Sequence, residues 1–116
     1  MREEIRDPER IHHILEAALI LQEEAPKHTL ETIKNDRILF FGLSKLVEII
    51  GEATYKLTKE YKETHPELPW KVMIGMRHVM VHGYYTLKPE KIWQTIIEDI
   101  PPMIPILEKY LAEFEE

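Results

Sequence analysis

The sequence predicts an all-α fold, a bundle of four or five helices. Apolar residues recur at spacings of three and four along most of the chain, which is the period of one helical face. Prolines stand where helices are expected to start, because a proline in the first turn loses no helical hydrogen bond. Alternating apolar and polar runs are absent, as are the Asn-Gly and Asp-Gly pairs of hairpin turns.

Length and composition indicate one small globular domain. The chain has 116 residues, of which 44% are hydrophobic and 31% are charged, enough to bury a core. It contains no cysteine, which excludes disulfides, thiolate metal sites and thiol nucleophiles. No stretch approaches the roughly 20 apolar residues of a membrane span, and the charged N-terminus does not resemble a signal peptide. We therefore expect a cytoplasmic protein that does not bind membranes.

Two helices are predicted in the first half of the chain. The first begins at residues 7–8, where an aspartate precedes a proline, and ends near Pro26. The second begins at Thr32 or Asp36 and runs to Tyr61. Its apolar residues follow a heptad spacing at Leu39, Leu43, Leu46, Ile50, Ala53 and Leu57. Further apolar residues widen this seam, so the second helix is buried on several sides, inside a bundle or inside a bundle that also dimerises.

A third helix is expected after the proline-containing turn at residues 65–69. Pro69 opens this helix and Gly83 ends it. Its apolar side carries Val72, Met73, Met76, Val79 and Met80.

Two more helices complete the predicted bundle. The fourth starts within residues 86–89, and its inward side chains are Ile92, Trp93, Ile96, Ile97 and Ile100. The proline pair at residues 101–102 forces a break before a last helix from Met103 to about Phe114.

Charge is distributed unevenly along the chain. The net charge of −6 argues at first against nucleic acid, because lysine and arginine supply most non-specific affinity for phosphates. Residues 70–91, however, carry +3 and residues 92–116 carry −5. Three lysines in the basic stretch are candidate contacts for an RNA backbone, although a solvated face is the commoner role of such residues: Lys71, Lys88 and Lys91. Trp70 is a candidate for base stacking, but an aromatic residue at a helix start is more often a packing anchor.

The chemically informative segment is residues 75–85, which place an arginine, two histidines and two tyrosines at a helix end. The planar guanidinium of Arg77 matches a phosphate, and the imidazole of His82 exchanges protons near neutral pH. Together they supply the minimum for cleaving RNA without a metal ion. The simpler alternative is that both cations cap the negative end of a helix dipole.

Helical geometry restricts how these two residues cooperate. Arg77 and His82 are five positions apart and point about 140° away from each other on a regular helix. Either the helix ends before His82, or a second copy of the chain completes the site in a two-fold dimer. His78 and His82 have the spacing of two metal ligands on one helix, but no third ligand is apparent, so we expect no metal site.

The motif resembles that of the HepT-like toxins of the HEPN superfamily. Arg77, His82 and Tyr84 match the Arg-x4-His-x-Tyr pattern of these proteins. Flanking segments agree as well: Ile50-Gly51-Glu52-Ala53, His65-Pro66-Glu67-Leu68-Pro69-Trp70, Ile74-Gly75-Met76-Arg77 and Glu98-Asp99-Ile100-Pro101. The resemblance spans nearly the whole chain and is strongest over residues 51–102.

The resemblance implies a single HEPN-like domain over residues 1–116, an up-and-down bundle that forms a homodimer. It implies a metal-independent endoribonuclease without a cofactor, the toxin of a type II/VII-like toxin–antitoxin pair, with Arg77 and His82 as catalytic residues. The partner would be a minimal nucleotidyltransferase antitoxin that adds AMP to Tyr84. Relatives usually carry a polar asparagine or aspartate after the motif arginine, whereas this chain has His78, a candidate accessory proton donor.

A non-enzymatic function is the leading alternative. In that case the chain is a helical dimer that the nucleotidyltransferase binds and modifies, and it cleaves nothing. The net charge of −6 favours this alternative, because it weakens attraction to RNA.

Overall fold

The structure is a computed structural model that describes residues 7–78 and 88–115. Seven α-helices lie in these residues: α1 (Asp7–Glu24), α2 (Leu30–Lys34), α3 (Arg37–Tyr55), α4 (Lys59–Thr64), α5 (Trp70–Gly75), α6 (Pro89–Gln94) and α7 (Met103–Phe114). A 3₁₀ turn, Ala25–Lys27, follows α1, and a π-helical turn, Thr95–Asp99, continues α6. These two ranges contain no strand, so the all-α prediction is confirmed, as are the predicted first and last helices.

The helices pack around one apolar core. Helix α1 lies against α3 and α7, α3 lies against α5, and α2 contacts both α3 and α6. The most completely buried side chains include Ile11, Ile14, Leu21, Val47, Ile50, Met73, Ile96, Leu107 and Tyr110. The packing of α5 on α3 brings two of the segments that carry the family resemblance, residues 50–53 and 74–77, side by side. Of the helices in the described residues, none is both long and apolar enough to cross a bilayer.

Helix α3 begins at the second of its two predicted starts. The carboxylate of Asp36 accepts a hydrogen bond from the backbone N–H of Leu39 at 3.0 Å, which is an N-cap. Thr32 instead belongs to α2, where it forms a capping box with Thr29.

The prediction that this helix runs to Tyr61 is wrong, because α3 ends at Tyr55 and α4 begins after a break. The hydroxyl oxygen of Thr58 accepts a hydrogen bond from the backbone N–H of Tyr61 at 3.1 Å and caps α4. Thr58 also donates twice to the carboxylate of Asp7, through its backbone N–H at 3.0 Å and its hydroxyl at 2.7 Å. The backbone N–H of Thr58 therefore has a partner on α1, whereas in a continuous helix it would donate to a carbonyl of the preceding turn.

The third predicted helix is also interrupted. Helix α5 ends at Gly75, Met76 and Arg77 form a turn, and helical geometry resumes at His78. Other predicted members of this helix lie outside the described residues: Val79, Met80 and Gly83. The helices beyond the four or five predicted are α2, which precedes α3, and α4, which the break after Tyr55 separates from α3.

Two side chains predicted to face the core are exposed instead, Val72 by 56% and Ile97 by 44%. Ile97 lies in the π-helical turn, where the N–H of Ile100 donates to the carbonyl of Thr95 at 3.1 Å. A turn closed by an i to i+5 bond is wider than an α-helical turn, so it changes the direction of the side chains within it. Val72 lies on the short α5, whose buried side is occupied by Met73.

Candidate active site

Arg77 lies in the turn after α5, directly against the backbone of α3. A Cβ atom at Gly51 would overlap the backbone nitrogen of Arg77 and lie 2.5 Å from the carbonyl carbon of Met76. Only a hydrogen at position 51 admits this approach, since real side chains do not come so close to a backbone. The N–H of Arg77 donates to the carbonyl of Ile74 at 3.1 Å. Gly51 therefore sets the distance between α3 and the turn that carries the arginine.

Two side chains of α3 hold the guanidinium of Arg77. Its Nε lies 3.5 Å from a carboxylate oxygen of Glu52, and its central carbon lies 3.8 Å from the centroid of the Tyr55 ring. Glu52 and Tyr55 are three positions apart on one helical face. An ion pair at one edge and a cation–π contact on the plane thus fix both the position and the tilt of the guanidinium.

The Nε atom of Arg77 is buried and makes no hydrogen bond within the described residues. At 3.5 Å its contact with Glu52 is an ion pair that exceeds the usual N–H···O hydrogen-bond distance. The contact fixes one edge of the guanidinium, and the paired terminal nitrogens form the edge that binds phosphates in proteins.

Of the residues predicted to act with Arg77, the structure describes only His78. His82 and Tyr84, together with Tyr85, lie outside the described residues. His78 is exposed and directly follows Arg77. Because Arg77 lies in a turn, the 140° separation calculated for a continuous helix does not fix its direction relative to later residues. Residues 7–78 and 88–115 contain no group of three histidine or carboxylate side chains placed to hold a metal ion.

The three candidate lysines are exposed, and two of them line a groove beside this turn. The groove has a volume of about 250 Å³, and Lys88 and Lys91 contribute to its wall, whereas Lys71 does not. In the described part of the chain none of the three pairs with a carboxylate, but most other lysines do: Lys27, Lys34, Lys45, Lys56, Lys59 and Lys109. The basic stretch therefore retains charge that other segments neutralise locally.

Trp70 is a packing anchor. Its indole N–H donates to the carbonyl oxygens of Lys62 at 3.1 Å and His65 at 2.8 Å. Its ring stacks on Tyr110 with centroids 6.2 Å apart. Burial raises the pKa of Tyr110 well above its usual value, so this phenol stays protonated and donates to Glu67. The indole is engaged at its face and its edge, and this supports the structural alternative over base stacking.

Sequence reasoning missed the roles of Glu52 and Tyr55. Glu52 stands in a segment that carries the family resemblance, and Tyr55 falls inside the second predicted helix, but neither pattern indicates a partner of Arg77. Gly51 was the available signal, because a glycine inside an apolar helical run usually has a packing reason. Here that reason is the close approach of the turn that carries Arg77.

The helical fold and the arginine at a helix end agree with a HEPN-type domain. A family model described as ribonuclease HepT-like matches residues 14–110, and the chain belongs to this family.

Named relatives agree with this assignment. The chain is 36% identical over 103 residues to a protein of Caldanaerobacter subterraneus subsp. tengcongensis that is named as a candidate RNase. The aligned region covers 89% of this chain and 88% of the relative. The chain is 32% identical over 99 residues to a protein of Thermococcus cleftensis named as a candidate ribonuclease HepT, with coverages of 85% and 90%. A candidate RNase of Methanocaldococcus jannaschii is 29% identical over 91 residues, with coverages of 78% and 84%. No solved structure matches the chain with significance.

Proposed function

We propose that the chain is a cytoplasmic, metal-independent endoribonuclease and the toxin of a type II/VII-like toxin–antitoxin pair. The observation that carries the proposal is the placement of Arg77, whose guanidinium Glu52 and Tyr55 hold at a helix end. Membership of the ribonuclease HepT-like family and relatives named as candidate RNases support the same activity.

Arg77 binds the phosphate to be cleaved. Glu52 pairs with Nε, and the terminal nitrogens bind phosphate oxygens as a fork. Tyr55 keeps the plane of the guanidinium fixed, so binding costs little reorganisation. Negative charge grows on the phosphate oxygens in the transition state, where a fixed cation stabilises it most.

His82 transfers the proton. As a base it takes the proton of the ribose 2′-hydroxyl, whose oxygen attacks the adjacent phosphorus while the bond from phosphorus to the 5′-oxygen breaks. The products are a 2′,3′-cyclic phosphate and a 5′-hydroxyl end. The leaving 5′-oxygen receives its proton from a second acid, for which the candidates are His78 and the histidine of a second copy in the homodimer. Both products carry ends that distinguish this reaction from hydrolysis.

Lysines of the basic stretch extend the contact with RNA. Lys88 and Lys91 line the groove beside the Arg77 turn, and Lys71 lies on the exposed side of α5. Each phosphate neutralised by a lysine releases counterions, so RNA affinity falls as salt rises.

A minimal nucleotidyltransferase neutralises the toxin by modifying Tyr84. In this step the phenol oxygen of Tyr84 attacks the α-phosphorus of ATP, pyrophosphate leaves, and the phenol proton passes to solvent. The added phosphate brings a negative charge into the motif of Arg77 and competes with RNA for that cation.

Modification of Tyr84 is testable with a minimal nucleotidyltransferase, the class of enzyme proposed as the partner. After incubation with that enzyme and ATP, we expect intact-mass spectrometry to show one or more added AMP groups on the wild type and on Tyr85→Phe, but none on Tyr84→Phe. Tyr85 is the matched control, because it is the neighbouring phenol. Undiminished labelling of Tyr84→Phe would show that the acceptor lies elsewhere.

The ion pair that orients Arg77 is testable through Glu52→Gln, which removes the charge of residue 52 and keeps the size of its side chain. We expect kcat to fall by about tenfold with little change in KM, since an orienting ion pair acts mainly in the transition state. Glu48→Gln is the control on the same helix, because Glu48 pairs with Lys45 at 2.7 Å and should leave kcat unchanged. Tyr55→Phe keeps the ring beneath Arg77 and should retain activity, whereas Tyr55→Leu should lose several-fold. Equal effects of Glu52→Gln and Glu48→Gln would contradict this role.

A further inference from the structure

A groove opens beside the turn that carries Arg77, between α3, α5 and α6. Its volume is about 250 Å³. Its lining consists of four apolar side chains, one glycine, two lysines and one threonine: Val47, Val72, Met76, Ile92, Gly75, Lys88, Lys91 and Thr95. An apolar floor with charged groups at one side suits a ligand that has a flat apolar part and an anionic part.

The floor is built from core residues, and one wall is exposed. Val47, Met76 and Ile92 are between 1% and 6% exposed, so their accessible edges belong to side chains that the core holds in place. Val72 is 56% exposed although it is an apolar residue in a helix. A Cβ atom built at Gly75 meets nothing within 4 Å. The groove is thus rigid at its base and open where Gly75 lines it.

Positive charge at the groove is not neutralised by nearby carboxylates. Lys88 and Lys91 are both exposed, and within the described residues neither forms an ion pair. Glu90 stands between them in sequence, but it lies 3.7 Å from the ammonium group of Lys34 on α2. The nearest acid in sequence is therefore directed to another helix, and the two lysines keep their charge for an anionic ligand.

The groove and the proposed phosphate site are formed by adjacent residues of the chain. Gly75 and Met76 line it, and the next residue is Arg77, whose Cα lies about 3.8 Å from that of Met76. A chain molecule with a phosphate at Arg77 can therefore place its adjoining unit in the groove. Among polymers with regularly spaced phosphates, single-stranded RNA also offers a flat base for an apolar floor.

We propose that this groove accepts one nucleotide of single-stranded RNA, next to the phosphate bound at Arg77, an inference that rests on the proposed ribonuclease function. The base lies against Val72 and the floor, and the phosphate of that nucleotide pairs with Lys88 and Lys91. Such a base must leave a duplex to enter the groove, so unpaired RNA is the preferred substrate. A local pocket for one nucleotide also adds affinity for RNA, which the net charge of −6 does not provide.

The test fills the groove from within. Gly75→Leu adds a side chain where a Cβ atom meets no other group, and Gly42→Leu is the matched control, because a Cβ atom at Gly42 on α3 also meets nothing within 4 Å. We expect both variants to keep the unfolding midpoint of the wild type or exceed it, since leucine favours a helix over glycine. Binding of a single-stranded 2′-O-methyl RNA, which this chemistry cannot cleave, should weaken by about tenfold for Gly75→Leu and remain unchanged for Gly42→Leu, in keeping with the loss of one stacked base.

A second measurement locates the bound nucleotide. On titration with the same RNA, methyl NMR signals of Val47, Val72 and Met76 should shift in the wild type and stay in place in Gly75→Leu. Replacing Lys88 and Lys91 with glutamine should lower the dependence of log K on log salt by about one to two. Unchanged binding by Gly75→Leu would overturn the groove assignment, as would wild-type methyl signals that do not respond.

Failure of this inference is distinguishable from failure of the proposed function. If the wild type and Gly75→Leu cleave RNA at the same rate, the ribonuclease function stands and the nucleotide groove is wrong. If the wild type binds the 2′-O-methyl RNA through the groove but cleaves no RNA, the groove stands and the ribonuclease function is wrong. If light scattering shows that Gly75→Leu, and not Gly42→Leu, changes the oligomeric mass, the groove is an interface between copies and the proposal is overturned.

Discussion

Alanine at His82 is expected to lower the rate of RNA cleavage by about 100- to 10,000-fold, the range that a positioned general acid or base contributes. Arg77→Ala should cost about 100- to 1,000-fold, because it removes the cation at the growing charge of the phosphate. The two losses should not add, since both residues act on one transition state. The measurement is the initial rate on a labelled single-stranded RNA in the presence of EDTA, with the product ends identified as a 2′,3′-cyclic phosphate and a 5′-hydroxyl.

Matched controls separate these effects from a general loss of charge. Arg37 also lies over an aromatic ring, that of Phe41, with its central carbon 5.8 Å from the centroid, so Arg37→Ala should retain full activity. His13 is an exposed histidine on α1 and provides the same control for imidazoles. If the wild type and His82→Ala cleave RNA equally, or neither cleaves it, the ribonuclease assignment is wrong. A non-enzymatic dimer that a nucleotidyltransferase modifies would then explain the motif, since the proposed transfer of AMP to Tyr84 does not depend on RNA cleavage.

Elements whose limits depend on neighbouring residues were predictable from the sequence. The first and last helices fall where the prolines and the helical period place them. The end of α3 was not predictable, because it depends on Asp7 accepting hydrogen bonds from Thr58, 51 positions away. No local pattern distinguishes a threonine inside a helix from a threonine that caps a new helix while it donates hydrogen bonds to a distant carboxylate. Ile97 was misplaced for a related reason, since a π-helical turn leaves no mark in helical periodicity.

The candidate site also has a part that the sequence indicates and a part that depends on packing between distant residues. Arg77 is a candidate by residue type alone, because a guanidinium five positions before a motif histidine has a chemical meaning, and its catalytic role stays a prediction. Glu52 and Tyr55 became its partners only through the packing of α5 on α3, which the sequence does not display. The homodimer stays a prediction, and so do the roles of His82 and Tyr84, which lie outside the described residues.

Alanine at Gly51 is expected to lower the free energy of unfolding by about 2 kcal/mol. Its Cβ atom would overlap the backbone nitrogen of Arg77 and approach the Cα of that residue to 2.7 Å, and overpacking of this kind costs about 1–3 kcal/mol. The obstructing atoms are backbone, which cannot rotate away as a flexible side chain would. Relief therefore requires the turn at Met76 and Arg77 to move off α3. The same movement separates Arg77 from Glu52 and Tyr55, so the folded fraction should also lose RNA cleavage.

Gly42→Ala isolates this contact from the intrinsic preference of alanine for helices. Gly42 lies in the same helix, and a Cβ atom there meets nothing within 4 Å, so this substitution should stabilise the protein by about 0.5–1 kcal/mol. Urea unfolding followed by circular dichroism gives both values by linear extrapolation. A Gly51→Ala protein as stable as Gly42→Ala would mean that the turn does not touch α3. A destabilised Gly51→Ala protein that still cleaves RNA at the wild-type rate would mean instead that the hold of α3 on Arg77 is structural only, because the cation then works without it.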